Sequence, residues 1–181
     1  WQKFNVLQMG IAVLPPEINS SFTKFTPEEK NIRFGLLAIK NVGANVVGAI
    51  IDERQKGGPF SDMIDFLKRV THKDLNKKSL ESLIKAGVFD SLKMGRGKLL
   101  ANIDEILRFS QQNRKDSVRA QDNLFGDTYL GGSLNLKADM PISDKDRLLW
   151  EKELLGLFVS GHPMNEHLHK LEEKNVQFIR E

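Results

Sequence analysis

The residues best suited to binding chemistry surround a glycine-containing turn between two apolar stretches of this 181-residue chain. In order, they are Lys40, Asn41, Val42, Gly43, Ala44 and Asn45. Asparagine and glycine tolerate positive φ, so Asn41 and Gly43 suit a tight corner. The first N–H groups of a following helix have no partner within that helix, and the helix dipole favours an anion there. Together with Lys40, this turn predicts a site for an anion such as phosphate.

Apolar residues on both sides of the turn indicate two short helices joined by a hairpin. We expect a first helix over 34–40 and a second over 44–54, which is followed by a stop at Gly57-Gly58-Pro59. Arg54 and Lys56 end the second helix and add positive charge. A helix-hairpin-helix of this kind binds the DNA phosphate backbone without contacting base edges.

The alternative is an ordinary helical corner closed by glycine. Helix-hairpin-helix motifs more often have glycine where this chain has Asn41, and asparagine adopts the required conformation at some cost. We therefore expect a weaker phosphate contact at this turn than in most such motifs.

A second candidate hairpin lies at Gly87, with Lys85 two residues before it. Asn76 is predicted to cap the preceding helix, and Gly87 stands where a left-handed residue ends one. No strongly apolar helix begins directly after Gly87. Gly87 is therefore either a second DNA contact or simply the end of a helix, with Phe89 in the core.

A short motif stands farther along the chain, within polar sequence. Gln121 is followed after two residues by Leu124 and Phe125. This pattern resembles the pentapeptide with which bacterial replication proteins bind the β sliding clamp. Leu124 and Phe125 would fill an apolar pocket, while the Gln121 amide would form hydrogen bonds at its entrance. The alternative is local packing against the preceding helix.

Around these motifs, the chain is predicted to be mainly α-helical. We expect a small helical domain with tandem helix-hairpin-helix motifs, an extended N-terminal segment and a flexible linker. Further helices are predicted to follow a cap at Ser61, to cover 96–112 as one amphipathic helix, and to cover 144–158. Phe22 and Phe25 are expected to anchor the extended segment by packing.

Charge and composition narrow the possible functions. The net charge of +3 is concentrated, because residues 31–100 contain 13 Lys and Arg against 7 Asp and Glu. This bias suits a polyanion, although it also fits a solvated basic surface. The absence of cysteine excludes disulfides and thiolate metal sites, and no apolar run approaches the ~20 residues of a membrane span.

Three other groups of residues are not expected to form a catalytic, metal or nucleotide-binding site. Asp62 and Asp65 flank a predicted helix start, where acidic residues stabilise the helix, so catalysis is not expected of them. The spacing of His162, His167 and His169 does not place them on one helical face. Gly95-Arg96-Gly97 lacks the strand that precedes a nucleotide-binding loop. We expect no metal site and no catalytic residue in this chain.

Four ordered motifs resemble the alpha subunit of bacterial DNA polymerase III, the replicative C family. They are Val13-Leu14-Pro15-Pro16-Glu17-Ile18-Asn19, Ile32 to Leu36 with Ala38-Ile39-Lys40, Leu80 to Asp90, and Glu153 to Gly156 with Ser160-Gly161-His162-Pro163. The resemblance extends over essentially the whole chain, and residues 111–143 match least. It implies that the chain is a fragment of such a subunit.

The resemblance also implies a domain arrangement. Residues 1–30 would end the fingers, and 31–112 would form a tandem helix-hairpin-helix domain on double-stranded DNA. Residues 113–143 would be a linker carrying the clamp-binding peptide, and 144–181 would lead toward an oligonucleotide-binding domain.

The function implied is non-catalytic. The fragment would hold duplex DNA and tether the polymerase to the β clamp, alongside other domains and subunits of the holoenzyme, in the cytoplasm. The Mg²⁺ of the parent enzyme would be held elsewhere, because no segment here matches the palm carboxylate motif. The alternative is an interdomain scaffold with little direct DNA binding.

Overall fold

The computed structural model describes residues 10–122, 134, 136 and 139–161, with residues 115–122 through their backbone alone. The protein is mainly helical, as the sequence predicts. Three short strands, β1 (Val13–Leu14), β2 (Thr26–Glu28) and β3 (Asn31–Arg33), precede the helices. The helices are α1 (Ala44–Gly57), α2 (Met63–Arg69), α3 (Lys77–Lys85), α4 (Arg96–Ala101), α5 (Ile103–Asp122) and α6 (Asp144–Leu155), with 3₁₀ turns at Leu36–Ala38 and Asp90–Leu92.

The N-terminal segment forms a small sheet that the sequence analysis did not predict. The strand order is β1-β3-β2, with β1 parallel and β2 antiparallel to β3. Arg33 fastens two of these strands, because its guanidinium donates to Glu28 on β2 and to the carbonyl oxygen of Pro15 just after β1. The hydrogen bond and charge of Arg33 lower the pKa of the Glu28 carboxyl.

Polar contacts join the N-terminal segment to the helices. The N–H of Ile18 donates to the carbonyl oxygen of Val88 at 2.9 Å. Asn19 forms a reciprocal pair with the backbone of Phe60, at 3.0 and 2.8 Å. Because Ile18 is completely buried, this segment is part of the main core.

One hydrophobic cluster unites the helices. Phe66 lies at its centre, with edge-to-face contacts to Phe60 and Phe89 at centroid distances of 5.4 and 4.9 Å. Such pairs add stability beyond the area that they bury. Residues from the N-terminal segment through α6 contribute to this cluster, including Ile18, Val47, Ile50, Leu83, Ile106 and Leu154.

The predicted helix over 34–40 is wrong. Only a 3₁₀ turn forms there, at Leu36–Ala38. In an α-helix over 34–40, the N–H groups of Leu37 and Lys40 would donate to carbonyl oxygens four residues earlier. They donate instead to the carbonyl oxygens of Thr23 and Leu154, at 3.1 and 3.0 Å. Tertiary hydrogen bonds have therefore replaced the expected α-helical ones.

Several helix limits also differ from the expectation. The helix predicted over 96–112 is two helices, which meet at Asn102, and α5 continues to Asp122. Its later turns are rich in Gln, Arg, Lys and Ala, which favour helix without needing a core. The residue that caps α2 is Asp62 rather than Ser61. The predicted cap of α3 is confirmed, since Asn76 forms a capping box with Ser79.

Within the described part of the chain, no helix is both long enough and apolar enough to cross a lipid bilayer.

Candidate nucleic-acid interface

The first hairpin turn connects the 3₁₀ turn at Leu36–Ala38 to α1. Asn41 takes the left-handed conformation, with φ of +66°. Gly43 is the N-cap of α1 and is extended, with φ of −84° and ψ of 157°. The corner therefore depends on positive φ at Asn41 alone, because Gly43 does not use the conformational freedom predicted for it.

The beginning of α1 is open to solvent. Gly43, Ala44 and Asn45 are exposed, whereas Val42 is buried in the core. The described part of the chain supplies no backbone acceptor for the N–H groups of Gly43, Ala44 and Asn45. A Cβ added at Gly43 would meet no atom within 4 Å. These N–H groups can therefore receive a phosphate at the positive end of the helix dipole.

Two helices support the turn from different directions. The side-chain amide of Asn41 donates to the hydroxyl oxygen of Ser82 on α3 at 3.1 Å. The N–H of Lys40 donates to the carbonyl oxygen of Leu154, near the end of α6, at 3.0 Å. The Lys40 side chain remains exposed beside the open N–H groups. The turn is thus fixed in place while its charged group stays accessible.

The structure adds lysines that the sequence analysis missed. The Asn45 amide donates to the Asp74 carboxylate at 2.8 Å, which brings the α2–α3 loop beside the start of α1. Lys73 is exposed on that loop. Lys78 is also exposed and lies on α3 one helical turn before Ser82, so both residues are on one face. Lysine enrichment at 73–78 was visible in the sequence, but its proximity to Asn45 was not.

Arg54 was predicted to contact DNA, and its burial excludes it from the exposed surface. Only 8% of this residue is accessible. Its guanidinium donates to the carbonyl oxygen of Ile18 at 2.9 Å and lies 5.0 Å from the centre of the Phe22 ring. Burial lowers the pKa of Arg54, and the Glu17 carboxylate partly opposes this shift. Arg54 therefore stabilises the N-terminal segment.

Lys56 is exposed but lies at the other end of α1. Twelve residues separate it from Ala44, a distance of roughly 18 Å along the helix axis. Its ammonium forms an ion pair with Glu53 at 3.0 Å. The structure therefore does not bring Lys56 to the hairpin turn.

The second candidate turn, at Gly87, is covered by a side chain of the protein itself. Gly87 is buried and takes φ of +83°, which confirms its predicted left-handed conformation. The guanidinium of Arg96 covers it, since a Cβ at Gly87 would overlap Arg96 Nη2. Arg96 also donates to the carbonyl oxygen of Lys85 at 2.9 Å and pairs with Asp90. This turn therefore lacks the open N–H groups of the first.

Lys85 is likewise held by protein groups. Its ammonium pairs with Glu81 at 2.6 Å and lies 5.4 Å from the centre of the Trp150 ring. The side chain is 27% exposed. Lys85 therefore connects α3 to α6, and it is a weaker candidate for phosphate contact than Lys40.

Between positions 31 and 100, the arginines and the lysines differ in their contacts and exposure. Every arginine there donates to a main-chain carbonyl, at 2.8 or 2.9 Å. These are Arg33 to Pro15, Arg54 to Ile18, Arg69 to Gly58 and Arg96 to Lys85. The planar guanidinium can hold several acceptors at once, which suits such bridging. The lysines supply most of the exposed positive charge.

The other residues predicted or considered as sites lie away from the two turns or outside the described residues. Gln121 is in the last turn of α5, while Leu124, Phe125 and the three histidines after residue 161 lie outside the described residues. Asp62 caps α2 and Asp65 pairs with Arg69 at 3.0 Å, so both have structural contacts. The described residues contain no cluster of three or more potential metal ligands.

Comparison with known proteins identifies similar sequences. Residues 10–99 match the family model described as a helix-hairpin-helix motif. The DNA polymerase III subunit alpha of Borreliella burgdorferi is 42% identical over 161 residues, which cover 87% of this chain and 14% of that protein. The Mycobacterium leprae subunit is 42% identical over 91% of this chain and 14% of its own length. The Thermus aquaticus subunit is 40% identical over 86% and 12%, respectively.

Proposed function

This chain belongs to the bacterial DNA polymerase III alpha-subunit family, spanning about 14% of the length of the first relatives, and we propose that it is a non-catalytic DNA-holding segment. The hairpin surface, which we define as Lys40, Asn41, Gly43, Ala44, Asn45, Lys73 and Lys78, would contact duplex DNA. The observation that carries this proposal is the open start of α1 beside exposed Lys40 and Lys73. DNA polymerisation, with its Mg²⁺, would belong to other parts of a longer protein.

The proposed contacts have a simple chemical basis. The N–H groups of Gly43, Ala44 and Asn45 would donate to one phosphate, and the flanking lysines would neutralise neighbouring phosphates. Phosphate oxygens are the same at every base pair, so these contacts position the protein without specifying sequence. Condensed counterions would be released as the lysines bind, and affinity would fall steeply with salt.

Duplex binding by the 181-residue chain provides the direct test. Fluorescence anisotropy would compare duplexes of unrelated sequence over a series of salt concentrations. We expect similar affinities for the duplexes and a linear decrease of log affinity with log salt. A strong preference for one sequence with little salt dependence would contradict the proposal.

The second proposed contact is with the β sliding clamp. Gln121, Leu124 and Phe125 support it through their likeness to a clamp-binding pentapeptide. Changing Leu124 and Phe125 to alanine would remove both apolar anchors while leaving the hairpin surface intact. Clamp binding should then disappear, and duplex affinity should be retained. Equal clamp binding by the unchanged chain and by the double alanine variant would indicate another role for Leu124 and Phe125.

An interdomain scaffold remains the alternative function. The contacts of Lys85 with Glu81 and Trp150 favour it at the second turn, because they occupy a predicted DNA-binding lysine. Charge reversal at Lys40 distinguishes the two functions, since only direct DNA binding predicts lower duplex affinity. For the complete protein we propose a cytoplasmic location and association with other polymerase domains and subunits.

A further inference from the structure

Three large apolar residues are exposed on the chain segments that precede the hairpin turn. Phe22 and Phe25 are each 47% exposed, and Leu37 is 41% exposed. Backbone hydrogen bonds from Leu36 to Phe22 and from Leu37 to Thr23 hold the two chain segments side by side. Phe22, Phe25 and Leu37 are therefore exposed apolar residues on two adjacent segments, and we call these three residues the aromatic patch. Large exposed apolar groups of this kind commonly mark binding surfaces.

Buried partners fix both aromatic rings. The Arg54 guanidinium lies over Phe22 at 5.0 Å, and that guanidinium is itself bonded to Ile18. Phe25 forms an edge-to-face contact with buried Phe34 at 4.6 Å. Each ring is thus restrained on the protein side while about half of its residue surface remains accessible. Binding to restrained rings would cost little side-chain entropy.

The surrounding charge favours a negatively charged occupant with flat apolar groups. Lys24 is exposed between the two phenylalanines in sequence, and exposed Lys40 follows Leu37 by three residues. The nearby acidic residues have basic or polar neighbours. Glu28 is paired with Arg33, and the Glu17 carboxylate accepts from the Asn19 N–H and the Ser91 hydroxyl. Exposed Glu29 is followed by exposed Lys30. Exposed aromatic rings with lysines close by in the chain suit single-stranded nucleic acid, whose bases stack while its phosphates contact the cations.

We propose that the aromatic patch stacks unpaired nucleobases of a strand that leaves the duplex held by the hairpin surface. This inference rests on the proposed duplex binding, because Leu37 lies three residues before Lys40. Phe22, which contacts Arg54, extends the patch from the turn toward the later part of α1. The patch would distinguish duplex with a single-stranded extension from blunt duplex. Stacking is insensitive to base identity, so the preference would be for strand structure over sequence.

The test compares a blunt duplex with the same duplex carrying a short thymidine extension. The variant Phe22→Leu with Phe25→Leu retains apolar bulk but removes both aromatic faces. We expect its affinity for the extended substrate to fall about fivefold to a hundredfold for each base that no longer stacks. Its affinity for blunt duplex should be unchanged. Unchanged affinity for the extended substrate would overturn the proposal and favour an apolar protein partner.

Two further variants separate the possible failures. Phe22→Trp should retain binding, and base stacking should quench the added indole fluorescence only with the extended substrate. Absence of that quenching would overturn stacking at Phe22. Lys40→Glu with Lys73→Glu should weaken binding of both substrates. If this lysine pair has no effect on blunt duplex, the proposed hairpin function fails irrespective of the aromatic variants.

Discussion

The N–H of Lys40 donates to the carbonyl oxygen of Leu154 across 3.0 Å, joining the first hairpin turn to the C-terminal part of α6. Leu154 is buried in the common core. A helix beyond the predicted linker therefore completes the support of the turn. The segment at 144–155 belongs physically with the hairpin, in addition to any connection that it makes to a following domain.

Loosening α6 should affect the turn directly. Leu154→Ala removes a buried side chain, and such changes typically cost ~2–5 kcal/mol. We expect faster amide hydrogen exchange at Lys40 and lower duplex affinity. Leu149→Ala is the matched control, because Leu149 lies on the same helix but is 53% exposed. If Lys40 exchange were the same in both variants, α6 would not support the turn.

Charge reversal of the hairpin lysines should reduce the salt dependence of DNA binding. Removing one phosphate contact lowers the magnitude of the log–log salt slope by about one. We expect this change for Lys40→Glu and for Lys73→Glu, measured by fluorescence anisotropy. Lys56→Glu, at the other end of α1, should change the slope less. Equal changes for all three lysines would show that the charge acts collectively and that no local contact exists.

Asn41 has two separable contributions to the turn. Asn41→Ala should destabilise the fold by about 1–2 kcal/mol for the left-handed conformation, with about 1 kcal/mol more for the bond to Ser82. Asn41→Gly should remove only the bond, because glycine accepts φ of +66°. Denaturant unfolding would measure both changes. Equal destabilisation by the two variants would indicate that backbone strain is unimportant here.

Two glycines should respond to alanine with opposite signs. Gly87→Ala imposes a Cβ at φ of +83° and displaces Arg96, so we expect a destabilisation of roughly 1–3 kcal/mol. Gly48 is inside α1 with open space around it, and alanine there should stabilise the helix by about 0.5–1 kcal/mol. Thermal unfolding would measure the change in stability of each variant. Stabilisation by Gly87→Ala would show that Arg96 does not confine this turn.

The start of α6 should be sensitive to acid. Hydrogen bonds from the Ser143 side chain and backbone hold the pKa of Asp146 below its ordinary value of 3.8. A depressed carboxyl pKa gives stability that is present above the unfolded-state pKa and disappears as pH falls through the folded-state pKa. Ser143→Ala should raise the pKa of Asp146 and reduce this acid dependence. An NMR titration of the Asp146 carboxyl carbon would show an unchanged pKa if the cap were unimportant.

Local signals in the sequence predicted both ends of α3. Asn76 caps α3, and Gly87 ends it with positive φ, because both effects act within a few residues. The strands were missed because each has only two or three residues, too few for an alternating pattern. The helix expected at 34–40 failed because distant carbonyl oxygens captured its N–H groups.

Side-chain roles were harder to predict than helices. The count of basic residues correctly indicated a positive region but could not show that Arg54 is turned inward. Lys73 became a candidate only through the bond between Asn45 and Asp74, which are 29 residues apart. Phe22 and Phe25 contact Arg54 and Phe34 as expected of anchors, yet about half of each remains exposed. Sequence periodicity carries no information about such long-range contacts.

The bond between Ile18 and Val88 has a consequence for biosynthesis. The ribosome synthesises Ile18 before Val88, whose carbonyl oxygen accepts the hydrogen bond, and Val88 follows seventy residues later. At ~5–20 residues per second, this interval is roughly 4–14 seconds. Throughout that time the nascent N-terminal segment lacks the carbonyl oxygen that fixes it in the finished protein. The segment around Ile18 therefore cannot complete its fold until Val88, which follows the second turn at Gly87, has been synthesised.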